Sequence, residues 1–345
     1  MRILIRATNW VGDAILALPA LRAVRTKFPQ AHIAILARPY VADLYADQRV
    51  ADELVRYDWR GAHAGFRGRE KLAANLRAKK FDTALLLQNA FDAAWVTWRA
   101  GIQQRIGYNR DGRGLLLTRR IPVPRRQEIP PHEKFYYLEL LRRAGWIDAL
   151  PETPEIRLEV PEAKGQHAEA TLLERGARPD AFRIAVGAGA SYGSAKCWPP
   201  ERFAETLNLF LKRTDGEVIL FGTAAEVRVS AAIGEQLAKR PVDMTGRTSI
   251  AELPALLSRC RMFVGNDSGA MHVAAAVGLP VVAIFGPTDP QGTAPVTPRC
   301  TIVQRRPYCS PCFLRKCPTD HRCMTAVTES MVEEAMRERV SEVCF

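Results

Sequence analysis

The stretch Phe263-Val264-Gly265-Asn266-Asp267-Ser268-Gly269-Ala270-Met271-His272 runs from the end of an apolar strand through small residues into a helix. A turn of that kind presents free backbone N–H groups and the positive end of a helix, which is the chemistry of an anion site. Gly265 and Gly269 would let a ligand approach the backbone closely; an ordinary tight strand-to-helix turn uses the same residues, and a lone His272 is more often structural. A second loop, Gly187-Ala188-Gly189-Ala190-Ser191-Tyr192-Gly193-Ser194-Ala195-Lys196-Cys197-Trp198-Pro199, also joins a strand to a helix, which Pro200 can open. Its Lys196 is a point charge suited to a phosphate. A third segment, Asn9-Trp10-Val11-Gly12-Asp13, follows the first strand. Asp13 falls where a carboxylate caps a helix or complements its macrodipole, and from the residues alone that structural role is the simpler one. The glycines here do not follow G-x-G-x-x-G, which removes the main support for a nicotinamide-dependent oxidoreductase.

Cys309-x2-Cys312-x4-Cys317-x5-Cys323, with His321 close by, is the remaining constellation. Four thiolates so near each other could enclose a structural zinc. Only one short C-x2-C hook is present, so a loop of reduced thiols is the alternative.

The elements that must position these residues follow from the alternation of short β-branched runs with stretches of helical period, the pattern of parallel strands and crossover helices. Strands are expected at Arg2–Arg6, His32–Ala37, Asp82–Leu87, Arg183–Val186, Glu217–Phe221, Met262–Val264 and Val281–Phe285. Helices are expected at Asp13–Phe28, Lys71–Lys80, Glu133–Ala144, Pro200–Lys212, Glu226–Lys239, Ile250–Ser258, Ala270–Val277 and Glu329–Val340. Prolines 122, 124, 130, 131, 151 and 154 mark an interdomain connection. The expected fold is therefore α/β in two domains, residues 1–160 and 161–326, with a helix in 327–345 closing the chain. A length of 345 residues suits two cores. No apolar run is long enough to span a bilayer, and the N-terminus reads as a buried strand and not as a signal peptide, so the chain is expected to be cytoplasmic. The formal charge of +12 draws anionic partners without choosing among them. Nucleic acid is disfavoured because no helix-turn-helix, RNP-like strand pair or repeated basic–aromatic pattern is present.

Taken together, the segments resemble the heptosyltransferase family, the lipopolysaccharide-building glycosyltransferases of the GT-B architecture. The resemblance covers essentially the whole chain. It rests on Ile3-Leu4-Ile5-Arg6-Ala7-Thr8-Asn9-Trp10-Val11-Gly12-Asp13, closest to the branch that adds the second heptose. It continues in order through Arg105-Ile106-Gly107-Tyr108, Lys196-x-Trp198-Pro199, Phe221-Gly222-Thr223, Gly265-Asn266-Asp267-Ser268-Gly269 with His272, and Gly286-Pro287-Thr288. It implies two Rossmann-like domains facing a central cleft and inverting transfer of heptose from ADP-L-glycero-D-manno-heptose to heptose-Kdo2-lipid A. Another core position or a protein acceptor stays open as an alternative.

By that resemblance Asp13 is the base on the acceptor hydroxyl and Lys196 with the Ser268 and Gly269 amides holds the pyrophosphate. Ser191, Tyr192, Asp267 and His272 join the donor site, Glu226 meets the ribose, and Thr248 lies where the adenine is expected. Ser191-Tyr192 departs from the smaller hydroxyl residues of related transferases. A lysine and oriented amides can stabilise the leaving diphosphate, so no cofactor is expected for catalysis. The acceptor is an anionic lipid A core at the inner face of the inner membrane, where the chain would lie peripherally. Two basic stretches fall in the half expected to bind it. Residues 105–126 hold seven arginines against Asp111, and residues 60–80 are rich in Arg and Lys. Arg60, Arg105, Arg110 and Arg113 are the residues expected to hold the acceptor's acidic groups.

Overall fold

The computed structural model describes residues 1–341. The chain divides into two compact units, Met1–Ile156 and the residues from Arg157 onward.

The first unit runs β1 (Arg2–Arg6), α1 (Val11–Leu16), α2 (Leu18–Lys27), β2 (His32–Ala37), α3 (Pro39–Tyr45), β3 (Glu53–Arg56), α4 (Gly65–Ala78), β4 (Thr83–Leu86), α5 (Phe91–Arg99), β5 (Gln104–Tyr108), β6 (Arg119–Ile121) and α6 (Glu133–Arg143). Its strands are all parallel, in the order β3-β2-β1-β4-β5-β6. The helix expected over Asp13–Phe28 is broken into α1 and α2 at Ala17, and Pro19 stands in the first turn of α2, where its missing N–H does no harm. Strands such as Ile3-Leu4-Ile5 and Ile33-Ala34-Ile35-Leu36 are buried along their whole length, as parallel strands covered on both faces must be. One face packs Leu72 and Leu76 of α4 and Ala94 of α5 onto Leu4, Leu36 and Leu86.

The second unit repeats the plan with α7 (Glu162–Glu174), β7 (Phe182–Gly187), α8 (Pro200–Leu211), β8 (Gly216–Leu220), α9 (Val227–Gln236), β9 (Val242–Asp243), α10 (Leu253–Leu257), β10 (Met262–Asn266), α11 (Gly269–Ala276), β11 (Val281–Phe285), α12 (Pro290–Thr293), β12 (Cys300–Gln304), α13 (Arg322–Thr325) and α14 (Glu329–Ser341). The parallel order is β12-β11-β10-β7-β8-β9, the same winding as in the first sheet. The C-terminal helix is not a separate piece: Val332, Ala335 and Met336 of α14 enter the core with Trp198, Phe203, Leu207 and Ile284.

In each sheet the winding reverses between two adjacent strands, β1 and β4 in the first and β7 and β10 in the second. Loops leaving the carboxyl ends of such a pair diverge and leave a crevice, where ligands bind in open α/β sheets. The segment carrying Asp13 follows β1, and the two loops carrying Lys196 and Asp267 follow β7 and β10.

Candidate active site

In the second unit the two loops at the reversal are sewn together by Asn266, which is fully buried. Its Nδ2 donates to the Ala188 carbonyl at 2.6 Å, and its Oδ1 accepts from the Trp198 N–H at 3.1 Å. Asp267 is buried beside it. One carboxylate oxygen accepts from Lys196 Nζ at 2.5 Å and from Thr288 Oγ1 at 2.6 Å. The Lys196 ammonium also stands 4.7 Å from the centre of the Tyr192 ring. Ser268 caps α11 in extended conformation without a side-chain capping bond, and its Oγ is buried with no hydrogen-bond partner. Helix end, orphan hydroxyl and ammonium together form a cradle for an anion. His272 is buried within α11.

Gly265 has a different role from the one its type suggested. A Cβ there would lie 2.4 Å from the Gly187 carbonyl oxygen, so it is needed for β7 and β10 to pair and not for a ligand to approach. Glu226 closes a capping box, accepting from the Thr223 N–H at 2.6 Å and the Thr223 hydroxyl at 3.0 Å, and lies against Gly189 of the Lys196 loop. Ser191 is exposed on that loop. Thr248 turns its hydroxyl onto the Met244 carbonyl at 3.2 Å. Next to it a cavity of about 170 Å³ is lined by Met244, Arg247, Glu252 and His167 among others. Met244 and Arg247 were missed from the sequence because nothing in a Met or an Arg after a two-residue strand separates them from ordinary loop residues.

The cysteine loop is part of this site's support. Tyr192 donates its hydroxyl to the Phe313 carbonyl at 2.7 Å, the Ala195 N–H donates to the Arg315 carbonyl at 3.1 Å, and His321 Nε2 is 2.7 Å from the Ala195 carbonyl. The Arg315 guanidinium lies 5.3 Å from the Tyr192 ring centre. Burial, together with Cys312, Cys309 and Cys317 nearby, pushes the Cys323 thiol up to about 11. Among the described residues no group of three or more His, Cys, Asp or Glu side chains is placed to hold a metal ion.

In the first unit Asp13 is the third residue of α1, whose N-cap, Trp10, makes no side-chain capping bond. The carboxylate is partly buried and helps to raise the pKa of the buried Tyr45 and Tyr137, after the larger effect of burial itself. Arg60 and Arg38 both lie 4.4 Å from the centre of the Trp59 ring. Arg38 reaches Tyr40, which donates to the Asn9 carbonyl at 2.7 Å, and the Arg38 Nε is buried without a partner. Arg110, near the carboxyl end of β5, is raised in pKa by a hydrogen bond with Tyr136.

Two of the four arginines expected at an acceptor are placed otherwise. Arg113 is 0% exposed, and its guanidinium donates to the Tyr108 carbonyl at 3.0 Å, to the Gln88 carbonyl and to Asn89 Oδ1 at 2.8 Å. Burial pushes it down to about 10. It ties the loops after β4 and β5 together, and it is its complete burial that sets it apart from an exposed acceptor-binding group. Arg105 sits at the amino end of β5, bonded to the Leu116 carbonyl at 2.6 Å and to the Ile102 carbonyl, on the sheet edge away from the reversal crevice. Sequence proximity grouped them; alternate strand ends separate them.

Residues 69–322 match the profile of glycosyltransferase family 9 (heptosyltransferase). The chain is 29% identical over 313 residues to lipopolysaccharide heptosyltransferase 2 of Escherichia coli K12, covering 88% of each. It is likewise 29% identical over 320 residues, with 88% of each covered, to lipooligosaccharide heptosyltransferase 2 of Haemophilus influenzae. The solved structure of the E. coli ADP-heptose LPS heptosyltransferase II superposes with a TM-score of 0.82 at 26% identity, covering 100% of both chains. A family 9 glycosyl transferase from Veillonella parvula shares the fold, with a TM-score of 0.88 at 24% identity over 99% of this chain and 97% of that one.

Proposed function

The chain belongs to glycosyltransferase family 9, the heptosyltransferases, and from that premise we propose that it moves heptose from ADP-heptose to the inner core of lipopolysaccharide, at the step that adds the second heptose. The observation that carries this is the anion cradle of the second unit: Lys196 held on Asp267, with the Ser268 hydroxyl and the start of α11 unclaimed. Breaking a glycosyl–diphosphate bond builds negative charge on the leaving ADP. An ammonium and oriented N–H groups, fixed in place beforehand, stabilise that charge more in the transition state than in the ground state. Glu226 and the Met244–Thr248 turn lie at neighbouring strand ends of the same sheet, as a ribose and a base would require. Tyr192, Ser191 and His272 complete the donor assignment.

Asp13 of the first unit is the proposed base. Taking the acceptor proton as the sugar passes through an oxocarbenium-like state, it would lead to inversion at the anomeric carbon. Arg60 and Arg110 are assigned to the acceptor's acidic groups. The reading needs no metal at the diphosphate, so transfer is expected to persist in EDTA. The chain would work in the cytoplasm against the inner face of the inner membrane, where a lipid A core is presented; no helix among the described residues is long and apolar enough to cross a membrane. On the spacing Cys309-x2-Cys312-x4-Cys317-x5-Cys323 alone, these four cysteines are proposed to close around one structural zinc, with a loop of reduced thiols as the alternative. About one zinc per tag-free chain is expected; four freely titrating thiols with little metal would remove that assignment.

The deciding experiment is transfer from ADP-heptose to defined truncated cores bearing zero, one or two heptoses. Transfer to the one-heptose core alone is the expected result. Transfer to another of the three moves the step, and inertness toward all three with ADP-heptose bound overturns the acceptor assignment.

A further inference from the structure

The basic character of the chain is not shared between its halves. Residues 1–156 carry 26 Lys and Arg against 16 Asp and Glu, a balance of +10, whereas the remainder carries 23 against 21, only +2. Aromatic side chains are exposed on the same unit. Phe66, 67% exposed in the first turn of α4, meets Trp95 of α5 with ring centres 5.6 Å apart. Trp98, one turn further along α5, is 44% exposed, and Leu115, in the short turn packed against α5, is 86% exposed. Large apolar groups scattered singly on a surface need no explanation, but these stand on adjoining elements. On α4 itself lie Arg67 and Lys71, one helical turn apart, both exposed and without an acidic partner among the described residues. Glu70, the acid of this helix, is taken by Arg99 at 2.7 Å.

We propose that the α4–α5 face of the first unit, with Phe66, Trp98 and Leu115 as its apolar points and Arg67 and Lys71 as its charges, seats this protein on an anionic lipid bilayer. Amphipathic aromatic rings settle at the level of lipid headgroups, and exposed cations beside them are drawn to anionic lipid. A protein partner would need an acidic apolar surface of matching shape. A bilayer needs only negative charge and depth, and the +10 balance of this unit supplies the complementary charge. The inference rests on the lipid-linked acceptor proposed above, for which a bilayer seat brings enzyme and substrate into one plane.

The test is flotation of the full chain with vesicles of phosphatidylcholine alone and with about a third phosphatidylglycerol, neither containing any acceptor. Wild type is expected to bind the anionic vesicles at least about tenfold more tightly. Arg67→Glu with Lys71→Glu should cut that binding by about fivefold or more per residue, with added salt having the same direction of effect. Phe66→Ser with Trp98→Ser should weaken what binding persists at high salt. Thermal melting of the full chain confirms that each variant is folded, and ADP titration reads the other unit. Equal binding to both vesicle types, variants that float like wild type, or a wild-type dimer that these substitutions dissolve would each overturn the proposal. Transfer to a soluble, delipidated acceptor should be unchanged in all variants, so a failed bilayer seat and a failed transferase reading give different results.

Discussion

Lys196 Nζ stands 2.5 Å from Asp267 Oδ2, and that same oxygen accepts from Thr288 Oγ1 at 2.6 Å, so the ammonium of the proposed donor turn is fixed by a carboxylate from a neighbouring strand end. A charge held this way needs no reorganisation when the leaving diphosphate develops its own. Lys196→Ala should therefore lower kcat and ADP affinity together, the latter by about 10- to 100-fold, the range of a charge-assisted hydrogen bond. AMP affinity should change little. Calorimetric titration of both nucleotides checks this, and equal losses for the two would take Lys196 away from the second phosphate.

Asp13 stands in the first turn of α1, where Asn forfeits only the interaction of a charge with the helix end, about 0.3–1 kcal/mol, so Asp13→Asn should lower the melting temperature only slightly. As a general base it should be irreplaceable. Asp13→Asn is expected to lose at least about 100-fold in kcat while ADP-heptose binding stays normal. A variant retaining a tenth or more of wild-type single-turnover rate would return the carboxylate to a purely local role.

Arg113 and Arg60 should separate stability from recognition. Removing the Arg113 side chain leaves two backbone carbonyls and Asn89 short of a donor in a buried place, for a loss of about 2–4 kcal/mol. Arg60→Ala with Arg110→Ala should leave the melting temperature within a degree or two and raise the acceptor KM, more so at low salt. A stable Arg113→Ala protein, or an unchanged acceptor KM for the pair, contradicts the respective assignment.

Gly193 faces the Arg315 carbonyl, and a Cβ would lie 2.2 Å from that oxygen. Gly193→Ala must push the cysteine loop off the Lys196 loop, breaking the contact from the Ala195 N–H. Donor KM should rise several-fold with the first unit's behaviour toward acceptor unaffected. Unaltered ADP binding would mean that the two loops move independently.

Glu139 is buried in α6. Burial raises its pKa, but hydrogen bonds from Arg142 and Arg143 outweigh that and hold it below the usual carboxylate range. A lowered folded-state pKa contributes stability that is present above the unfolded value, near ~4.3, and is lost as pH falls through the folded one. Glu139→Gln should cost about 1–3 kcal/mol at pH 7, and the difference from wild type should shrink as the melts are taken down to about pH 3. A gap constant with pH would show that the carboxylate's charge is not what stabilises α6.

Much of this was legible in the residues. Parallel strands announced themselves because burial on both faces demands unbroken apolar runs, and the turns after β1, β7 and β10 did so because small residues must stand between strand and helix. What stayed hidden depends on neighbours far away in sequence. β6 and β9 are short edge strands with little apolar pattern, and α7 is too evenly polar to show its stripe. The arginines between 105 and 126 look alike as letters, yet Arg113 points into the sheet end and Arg105 belongs to the opposite edge. The pairing of Arg38 with Trp59 became visible only when the turn after β3 was brought to it.

Trp198, two residues past Lys196, is buried in the second core and donates its indole N–H to the Val327 carbonyl at 3.0 Å, immediately before α14. The Lys196 loop is thus fastened to a segment 129 residues further along the chain. Synthesis delivers the first unit complete early, and domains tend to fold in the order they emerge. The nucleotide cradle, however, cannot take its final form until residues around Val327 and the helix behind them have left the ribosome. A nascent chain stopped after Thr325 would carry every residue of the proposed cradle and is expected to bind ADP poorly, because Trp198 would lack its partner carbonyl at Val327.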